Sequence, residues 1–345
     1  MQLEIGLVAI FFILSLGLLV PVQAASDYQF VNTWGSQGLI KTGSFAFPQY
    51  ASVDEAGNVY VTELGNFRVQ KFDNQGTYLH SWGSKGNGPN QFLEPAGVAA
   101  KNNFVYVVDH GLNVVKKFDN NGNFVKAWGS EGTETGKLKL PNGIAVSKDN
   151  YVYVADTANS RIQKFDSDGN FVKAFGSSGT GQGQFLFPLG VAVDNEGNVF
   201  VGDSGTNRVT KFNSDGVFVK SFTAASNGLK LSPDGLAVDS SGNIAVADTG
   251  NNRVVVLDKD GNTKATFGST GTGNSQFKMP KDVALDSDGD LFVVDTSNNR
   301  IQKFGSQSTT ETQQTQTEQT ETKPVANDFT KPTIVAPKDL YVEAT

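Results

Sequence analysis

The sequence contains no cysteine and only two histidines among its 345 residues. The absence of cysteine excludes a disulfide scaffold, a thiol nucleophile and a thiolate metal site. Two histidines are too few for a metal cage built from several imidazoles. Basic residues are also scarce, with 28 Lys and Arg against 35 Asp and Glu and a formal net charge of −7. Such an acidic chain is not expected to bind nucleic acid, which requires clustered Lys and Arg.

Long apolar runs are absent except at the N terminus. Residues 5–20 are almost wholly apolar, and Val22-Gln23-Ala24 has the small-residue pattern that a signal peptidase recognises. We therefore predict a signal peptide over residues 1–24 and a secreted or cell-surface protein. The alternative is an uncleaved N-terminal membrane anchor, because residues 5–22 have the minimum length of a span. Pro21 and the lack of basic flanking residues disfavour that anchor.

Glycine is abundant, with 38 residues, and the chain after the apolar run repeats itself six times. Six prolines, spaced by 45 to 47 residues, open the repeats: Pro48, Pro95, Pro141, Pro188, Pro233 and Pro280. Each unit contains short runs of Val, Ile, Phe and Tyr separated by turn residues such as Glu-Gly-Asn and Asp-Gly. Four strands in about 46 residues, repeated around a ring, are typical of a β-propeller blade.

The sixth unit ends at Phe304 before its fourth strand, and the missing strand is found at the other end of the ring. Residues 28–36 match residues 122–130, which form the fourth-strand segment of the second unit. We therefore predict an all-β, six-bladed β-propeller of four-stranded antiparallel blades over residues 28–304. The N-terminal strand closes the ring, which removes two exposed sheet edges.

The repeated pattern resembles the NHL repeat family. It reads Pro-x-Gly-Val-Ala-Val-Asp, then Gly-Asn-Val-x-Val-x-Asp, then Asn-Arg-Val/Ile-x-Lys-Phe. The resemblance implies a six-bladed propeller, whose known members include RNA- and protein-binding modules, extracellular sensor domains and a peptide-amidating lyase. It implies no single reaction, because one fold supports many functions.

Residues 305–327 are rich in Gln, Thr, Ser and Glu and contain almost no apolar residue. A segment of this composition cannot bury enough surface to fold, so we predict a disordered linker. Residues 328–345 resemble the opening of a HYR (hyalin repeat) module, an extracellular immunoglobulin-like domain. An isolated strand after a linker is the alternative interpretation.

A carboxylate ends the second strand of every unit, and an arginine follows it five residues later in five units. We predict that these residues pair and lock the loop between the second and third strands, so that their role is structural. The predicted structural residues are Glu63, Asp156, Asp203, Asp248 and Asp295, with Arg68, Arg161, Arg208, Arg253 and Arg300.

The second unit departs from this pattern and contains our candidate binding residues. Val114 stands where arginine is expected, so Asp109 has no predicted partner, and His110 follows it directly. An unpaired carboxylate beside an imidazole and Lys116 is a candidate ligand site. The alternative is a diverged repeat unit with a solvated histidine.

We identify no catalytic triad and no metal-ligand set, and we expect a non-enzymatic binding module. Its loop face would engage a protein or glycan partner, without nucleic acid and without membrane contact unless the N terminus stays uncleaved. One alternative is a calcium-dependent hydrolase or lactonase with its site in the central channel. Propeller lactonases hold calcium with carboxylates and amides, which this chain has in number. Another alternative is a sensor ectodomain on an uncleaved anchor.

Overall fold

The computed structural model describes residues 28–39, 41–223 and 230–306, which contain 26 β-strands and three short 3-10 helices. The predicted signal peptide, linker and HYR-like segment lie outside these residues, so each stays a prediction. Within the described ranges no helix is long and apolar enough to cross a membrane.

Twenty-four of the strands form six four-stranded antiparallel sheets, which are the blades of the propeller. The blades are numbered one to six in the chain order of their first strands. The first strands are β2 (Pro48–Val53), β6 (Pro95–Lys101), β10 (Ile144–Val146), β14 (Pro188–Val193), β18 (Pro233–Val238) and β24 (Pro280–Leu285). The second strands are β3 (Val59–Glu63), β7 (Phe104–Asp109), β11 (Val152–Asp156), β15 (Val199–Asp203), β19 (Ile244–Asp248) and β25 (Leu291–Asp295). The third strands are β4 (Arg68–Phe72), β8 (Val114–Asp119), β12 (Arg161–Phe165), β16 (Arg208–Phe212), β20 (Arg253–Leu257) and β26 (Arg300–Ser306). The fourth strands are β5 (Tyr78–Trp82), β9 (Phe124–Trp128), β13 (Phe171–Phe175), β17 (Phe218–Phe222), β21 (Thr263–Phe267) and β1 (Tyr28–Trp34).

The remaining elements lie in loops. Strands β22 (Ser269–Thr270) and β23 (Gln276–Phe277) form a small parallel pair in a connector between blades. The 3-10 helices are Thr157–Asn159, Thr249–Asn251 and Thr296–Asn298, each between the second and third strands of a blade.

The last blade contains the first strand of the chain. Strand β1 pairs antiparallel with β26, so that Tyr28 lies opposite Ser306 and Trp34 opposite Ile301. The sheet order is β1-β26-β25-β24. The predicted all-β, six-bladed propeller, closed by its N-terminal strand, is therefore confirmed.

The first strand of each blade lies at the centre of the ring. Each first strand packs against the first strands of both neighbouring blades, as β2 does against β6 and β24. Apolar clusters fill the spaces between adjacent blades; one combines Tyr60 and Trp82 of blade one with Val98 and Phe118 of blade two. Since both faces of a blade are covered in this way, the second strands are buried along their whole length, except that Phe104 at the start of β7 is half-buried.

Aromatic residues at the ends of the outer strands join consecutive blades. Trp82, at the end of β5, lies on the hairpin of the next blade at Gly122, which has a φ of +80°. A Cβ atom at residue 122 would lie 2.7 Å from the indole. Glycine is needed at residue 122 for two reasons: the turn has a positive φ, and a side chain there would collide with the indole.

Candidate active site in the central channel

The carboxylates at the ends of the second strands are fully buried, and four of them pair with the arginine five residues later. The distances are 2.6 Å for Arg68–Glu63, 2.7 Å for Arg161–Asp156, 2.6 Å for Arg253–Asp248 and 2.8 Å for Arg300–Asp295. Each pair uses the arginine Nε, which leaves the other guanidinium nitrogens for further contacts.

The paired residues hold the connector that enters the innermost strand. Asp156 accepts a hydrogen bond from the backbone N–H of Lys139 at 2.7 Å, close before Pro141. Arg161 donates to the backbone carbonyl of Lys137 in the same connector at 3.0 Å. Carboxylate and guanidinium thus hold two backbone groups of one loop, which is the geometry of a structural brace.

Blade four lacks the expected pair between Asp203 and Arg208 among the ion pairs of the described residues. Asp203 instead accepts hydrogen bonds from the hydroxyl of Thr206 at 2.6 Å and the backbone N–H of Phe187 at 2.7 Å. Arg208 donates to the carbonyl of Gln184 at 2.6 Å. The Thr206 hydroxyl donates to the carboxylate here, so Asp203 and Arg208 both hold the loop without forming an ion pair.

In blade two, backbone N–H groups donate to Asp109 in place of an arginine. Its carboxylate accepts backbone hydrogen bonds from Leu93 at 3.1 Å, Glu94 at 3.0 Å and Leu112 at 3.2 Å. The residue is fully buried. The Asp109 carboxylate is therefore not accessible to a ligand in this structure.

Lys116 occupies the place of the missing arginine. Its ammonium donates to the carbonyls of Gly88 at 2.9 Å and of Gln91. The carbonyl of Gln91 is the equivalent of that of Lys137, which Arg161 contacts in blade three. Burial lowers the pKa of Lys116, while the charge of Asp109 opposes that shift.

His110 lies at the boundary with blade three. Its Nδ1 is 3.1 Å from the carbonyl oxygen of Pro141, and its Nε2 is 4.0 Å from a carboxylate oxygen of Glu94. Neither His110, Asp109 nor Lys116 lines the central cavity. The structure thus places the three predicted binding residues in contacts within the fold and does not gather them around one pocket.

The six innermost strands enclose a cavity of about 170 Å³ at the centre of the ring. Small apolar residues such as Val98, Ala145 and Val191 dominate its wall. The polar side chains of the wall belong to Tyr50, Ser52 and Asp282. A cavity that is lined by small apolar side chains and a few convergent polar groups is a common form of small-molecule site.

The cavity opens towards the hairpins that join the first and second strands of the blades. Val53, Val193, Val238 and Leu285 line both the cavity and this mouth, whose volume is about 550 Å³. Six carboxylates surround the mouth: Asp54, Glu55, Asp194, Asp239, Asp286 and Asp288. Lys101 is the basic residue among them, and it pairs with Glu55 at 3.0 Å.

A cluster of polar residues occupies the opposite end of the cavity, where the innermost strands begin. We call Gln49, Tyr50, Asp234, Lys281 and Asp282 the channel cluster. The Tyr50 hydroxyl donates to Asp234 Oδ1, and the ammonium of Lys281 donates to Gln49 Oε1 at 2.9 Å. Asp282 Oδ2 accepts from the backbone N–H of Ala51 at 2.9 Å. All but Lys281 are buried.

Burial shifts the pKa values of the two carboxyls and the phenol of the channel cluster, because it removes these groups from water. Burial raises the pKa of Asp282 well above 3.8, and the neighbouring charge of Asp234 raises it further. Burial also raises the pKa of Asp234, against the opposing effects of Lys281 and the Tyr50 hydrogen bond. Burial and Asp234 together raise the pKa of Tyr50 well above 10.0, so the phenol stays protonated. Perturbed carboxyls in a cavity are characteristic of acid–base sites.

The channel cluster was not predicted, because the predictions rested on repeated positions. Gln49, Asp234 and Lys281 occupy the variable position after the opening proline, and two further members replace a repeated glycine. Four units place glycine second after the opening proline, at Gly97, Gly143, Gly190 and Gly235. The first and sixth units place Tyr50 and Asp282 there. Because the start of each innermost strand faces the channel, deviations at exactly these positions were the available signal.

The residues present do not fit the calcium that the resemblance to propeller lactonases implies. Calcium takes six to eight oxygen ligands, and no three of His, Cys, Asp and Glu in the described ranges gather to hold a metal. The two carboxylates of the channel cluster already accept hydrogen bonds, and the Gln49 oxygen faces an ammonium. Asn142 Oδ1 is buried without a partner among the described residues, but one amide oxygen cannot complete the set.

Two family models match the chain. The SMP-30/Gluconolactonase/LRE-like region matches residues 97–229, and the NHL repeat matches residues 231–257 and 277–304. The chain therefore carries NHL repeats within a six-bladed propeller, as the repeat pattern predicted. No curated protein matches it in sequence.

Several solved structures share the fold. A gluconolactonase from Xanthomonas campestris is 16% identical with a TM-score of 0.58, over 76% of this chain and 87% of that one. The virginiamycin B lyase from Staphylococcus aureus is 14% identical with a TM-score of 0.53, over 76% of this chain and 85% of that one. A nidogen/laminin complex contains a chain that is 17% identical with a TM-score of 0.51, over 64% of this chain and 79% of that one.

The match to the SMP-30/Gluconolactonase/LRE-like region contradicts the expected non-enzymatic binding module. That expectation rested on the small number of histidines and on the structural role of the repeated acids. Both arguments overlooked carboxyls that do not repeat: Asp282 lines the central cavity, and Asp234 accepts a hydrogen bond from Tyr50 in the same cluster. The expectation of a binding module was therefore wrong, and the comparisons favour an enzyme.

Proposed function

We propose that the protein is a lactonase-type hydrolase whose site is the central cavity with the channel cluster at its end. The observation that carries the proposal is a central cavity that ends in buried carboxyls, part of whose wall belongs to the family match over residues 97–229. The gluconolactonase that shares the fold supports the same class of reaction.

Asp282 is the general base in this proposal. It lines the cavity, and the backbone N–H of Ala51 fixes its carboxylate at 2.9 Å. Its raised pKa makes the carboxylate a stronger base than an exposed aspartate. Asp282 takes a proton from water as the water oxygen bonds to the lactone carbonyl carbon. The ring C–O bond then breaks, and the proton returns to the departing alkoxide, which gives a hydroxy acid.

Tyr50 orients the substrate at the same end of the cavity. Its ring lines the wall, and its hydroxyl is held by Asp234, so the phenol keeps one position. A fixed side chain beside the base restricts the poses of a small ring, which lowers the entropic barrier to attack.

The substrate class follows from the cavity and its mouth. A cavity of about 170 Å³ whose lining side chains are mostly small and aliphatic suits a small, uncharged ring. Six carboxylates at the mouth repel anions, so a lactone that already carries a carboxylate is disfavoured. The hydroxy acid product is itself an anion, and the same charges favour its departure.

The test is turnover of a lactone panel by the purified full chain, followed by the acid that each hydrolysis releases. The panel contains a sugar lactone, small aliphatic lactones and an aliphatic lactone with a carboxylate substituent. We expect turnover of at least one uncharged lactone and the lowest kcat/KM for the anionic one. A folded protein that hydrolyses no member of the panel above the rate in buffer would overturn the proposal.

A further inference from the structure

The channel cluster contains a cation supplied by the chain itself. Lys281 precedes Asp282 in β24, and its ammonium donates to Gln49 Oε1 of the neighbouring blade at 2.9 Å. Its charge also acts on Asp234, where it opposes the effect of burial on that carboxyl. One lysine thus links blades one, five and six at the end of the channel.

Several of the oxygen atoms that a divalent metal would use here already accept hydrogen bonds, and calcium needs six to eight oxygen ligands. Asp234 accepts from the hydroxyl of Tyr50, Asp282 accepts from the amide of Ala51, and Gln49 accepts from the ammonium. A metal at this place would also lie beside the ammonium, and two cations close together in a poorly solvated site repel each other strongly.

We propose that the ammonium of Lys281 is the resident cation of the channel cluster and that the site operates without a divalent metal. This departs from the calcium that propeller lactonases of similar architecture hold. The catalytic part of the inference rests on the proposed function, whereas the metal-binding part does not.

Lys281 acts on the reaction through its charge. Its ammonium holds Gln49 by a hydrogen bond and favours the charged form of Asp234. Lys281 also compensates one of two buried carboxylates, which would otherwise face each other unbalanced. It does not line the cavity, so we classify it as a positioning residue that acts through Asp234 and Gln49.

The first experiment is a calcium titration of the full chain after chelation, by calorimetry and by thermal unfolding. We expect no stoichiometric binding and the same Tm in chelator and in millimolar calcium, because a ligand that binds only the folded state raises the Tm. Binding of one calcium that the substitution Asp234→Asn abolishes would overturn the inference, whether or not the protein hydrolyses a lactone.

The second experiment converts the cluster into a metal site. The double variant Gln49→Glu/Lys281→Met adds a carboxylate and removes the ammonium, so we expect calcium to raise its Tm by several degrees. The matched control is Lys278→Met, which removes an exposed lysine near the same strand and should leave the Tm independent of calcium. A double variant that folds and still ignores calcium would show that Lys281 does not exclude the metal.

The third experiment applies once a substrate is known. We expect lactone turnover to resist chelation, to fall at least tenfold in Lys281→Met and to be largely kept in Lys281→Arg, which preserves the charge. Turnover that requires added calcium would contradict the inference. Absence of turnover in the unmodified chain would count against the proposed function alone, since the calcium titration still decides whether Lys281 is the cation.

Discussion

At the scale of single residues, blade two shows how one cation can replace another. Val114 removes the arginine that braces the connector in other blades, and Lys116, two residues further along the same strand, reaches the carbonyls of Gly88 and Gln91. Residues two apart on a strand point to the same side, which makes the exchange possible. In the sequence Lys116 was a candidate binding residue, and in the structure its ammonium holds the connector of its own blade.

If Lys116 replaces the arginine, an arginine at residue 114 should restore the stability that is lost when Lys116 is substituted. Lys116→Gln removes the ammonium from two partly buried carbonyls and should lower the free energy of unfolding by about 1–3 kcal/mol. Adding Val114→Arg to Lys116→Gln restores the residues of blades one, three and six, and should recover most of the loss. Chemical denaturation of the two variants and of Lys126→Gln, an exposed control, measures the effect. A double variant no more stable than Lys116→Gln would refute the exchange.

Because the pKa of Asp282 is raised in the folded protein, we expect the stability of the protein to depend on pH. Its pKa in the folded protein is raised above 3.8, so the folded state holds the proton more tightly than the unfolded state. The stabilisation by this proton is complete below about pH 3.8 and is lost as the pH rises through the folded pKa. The Tm of the protein relative to Asp282→Asn should therefore fall with rising pH. Thermal unfolding of both proteins from pH 3 to pH 9 checks this, and a constant difference would show that Asp282 does not titrate with a raised pKa.

At the scale of elements, strands and hairpins were predictable because each has a local cause. Glycine and asparagine at fixed spacing determine the hairpins, and β-branched and aromatic runs form the strands between them. The channel cluster was not predictable in the same way. Gln49, Tyr50, Asp234, Lys281 and Asp282 come from three blades, and only closure of the ring brings them together.

The contact between outer strands and hairpins gives a matched pair of substitutions. Gly122 and Gly43 both have positive φ, but a Cβ atom at residue 122 meets the Trp82 indole, whereas at residue 43 it meets nothing within 4 Å. Gly43→Ala should cost about 1 kcal/mol for the backbone alone. Gly122→Ala should cost roughly 1–3 kcal/mol more, because the indole must move. Urea unfolding of both variants distinguishes the costs, and equal losses would show that the Trp82 contact contributes nothing.

At the scale of the whole molecule, the two ends of the channel differ in how their ionisable groups are exposed to water. One end holds the buried channel cluster, and the other holds six carboxylates around an open mouth. The net charge of −7 was visible in the sequence. The position of these six carboxylates around one mouth was not, because they lie in the hairpins of four blades and only the ring brings those hairpins together.

The acidic mouth predicts how salt affects substrate choice. Raising the ionic strength from about 0.01 M to 1 M shortens the screening length from about 30 Å to about 3 Å. The kcat/KM for an anionic lactone should therefore rise with salt, while that for an uncharged lactone of the same size should change little. Initial rates for the two lactones over this range test the prediction. Equal salt effects would indicate that substrates do not enter past the six carboxylates.

The most direct measurement for the central claim compares two aspartates of one blade. Asp282 lines the cavity, and Asp288 lines the mouth at the other end of the channel, where its side chain is exposed. We expect Asp282→Asn to reduce kcat/KM for an uncharged lactone by about 10²–10⁴ and to remove its rise with pH, while Asp288→Asn stays within a few-fold of the unmodified protein. A folded Asp282→Asn variant with unchanged kcat/KM and pH profile would contradict a lactonase site at the channel cluster.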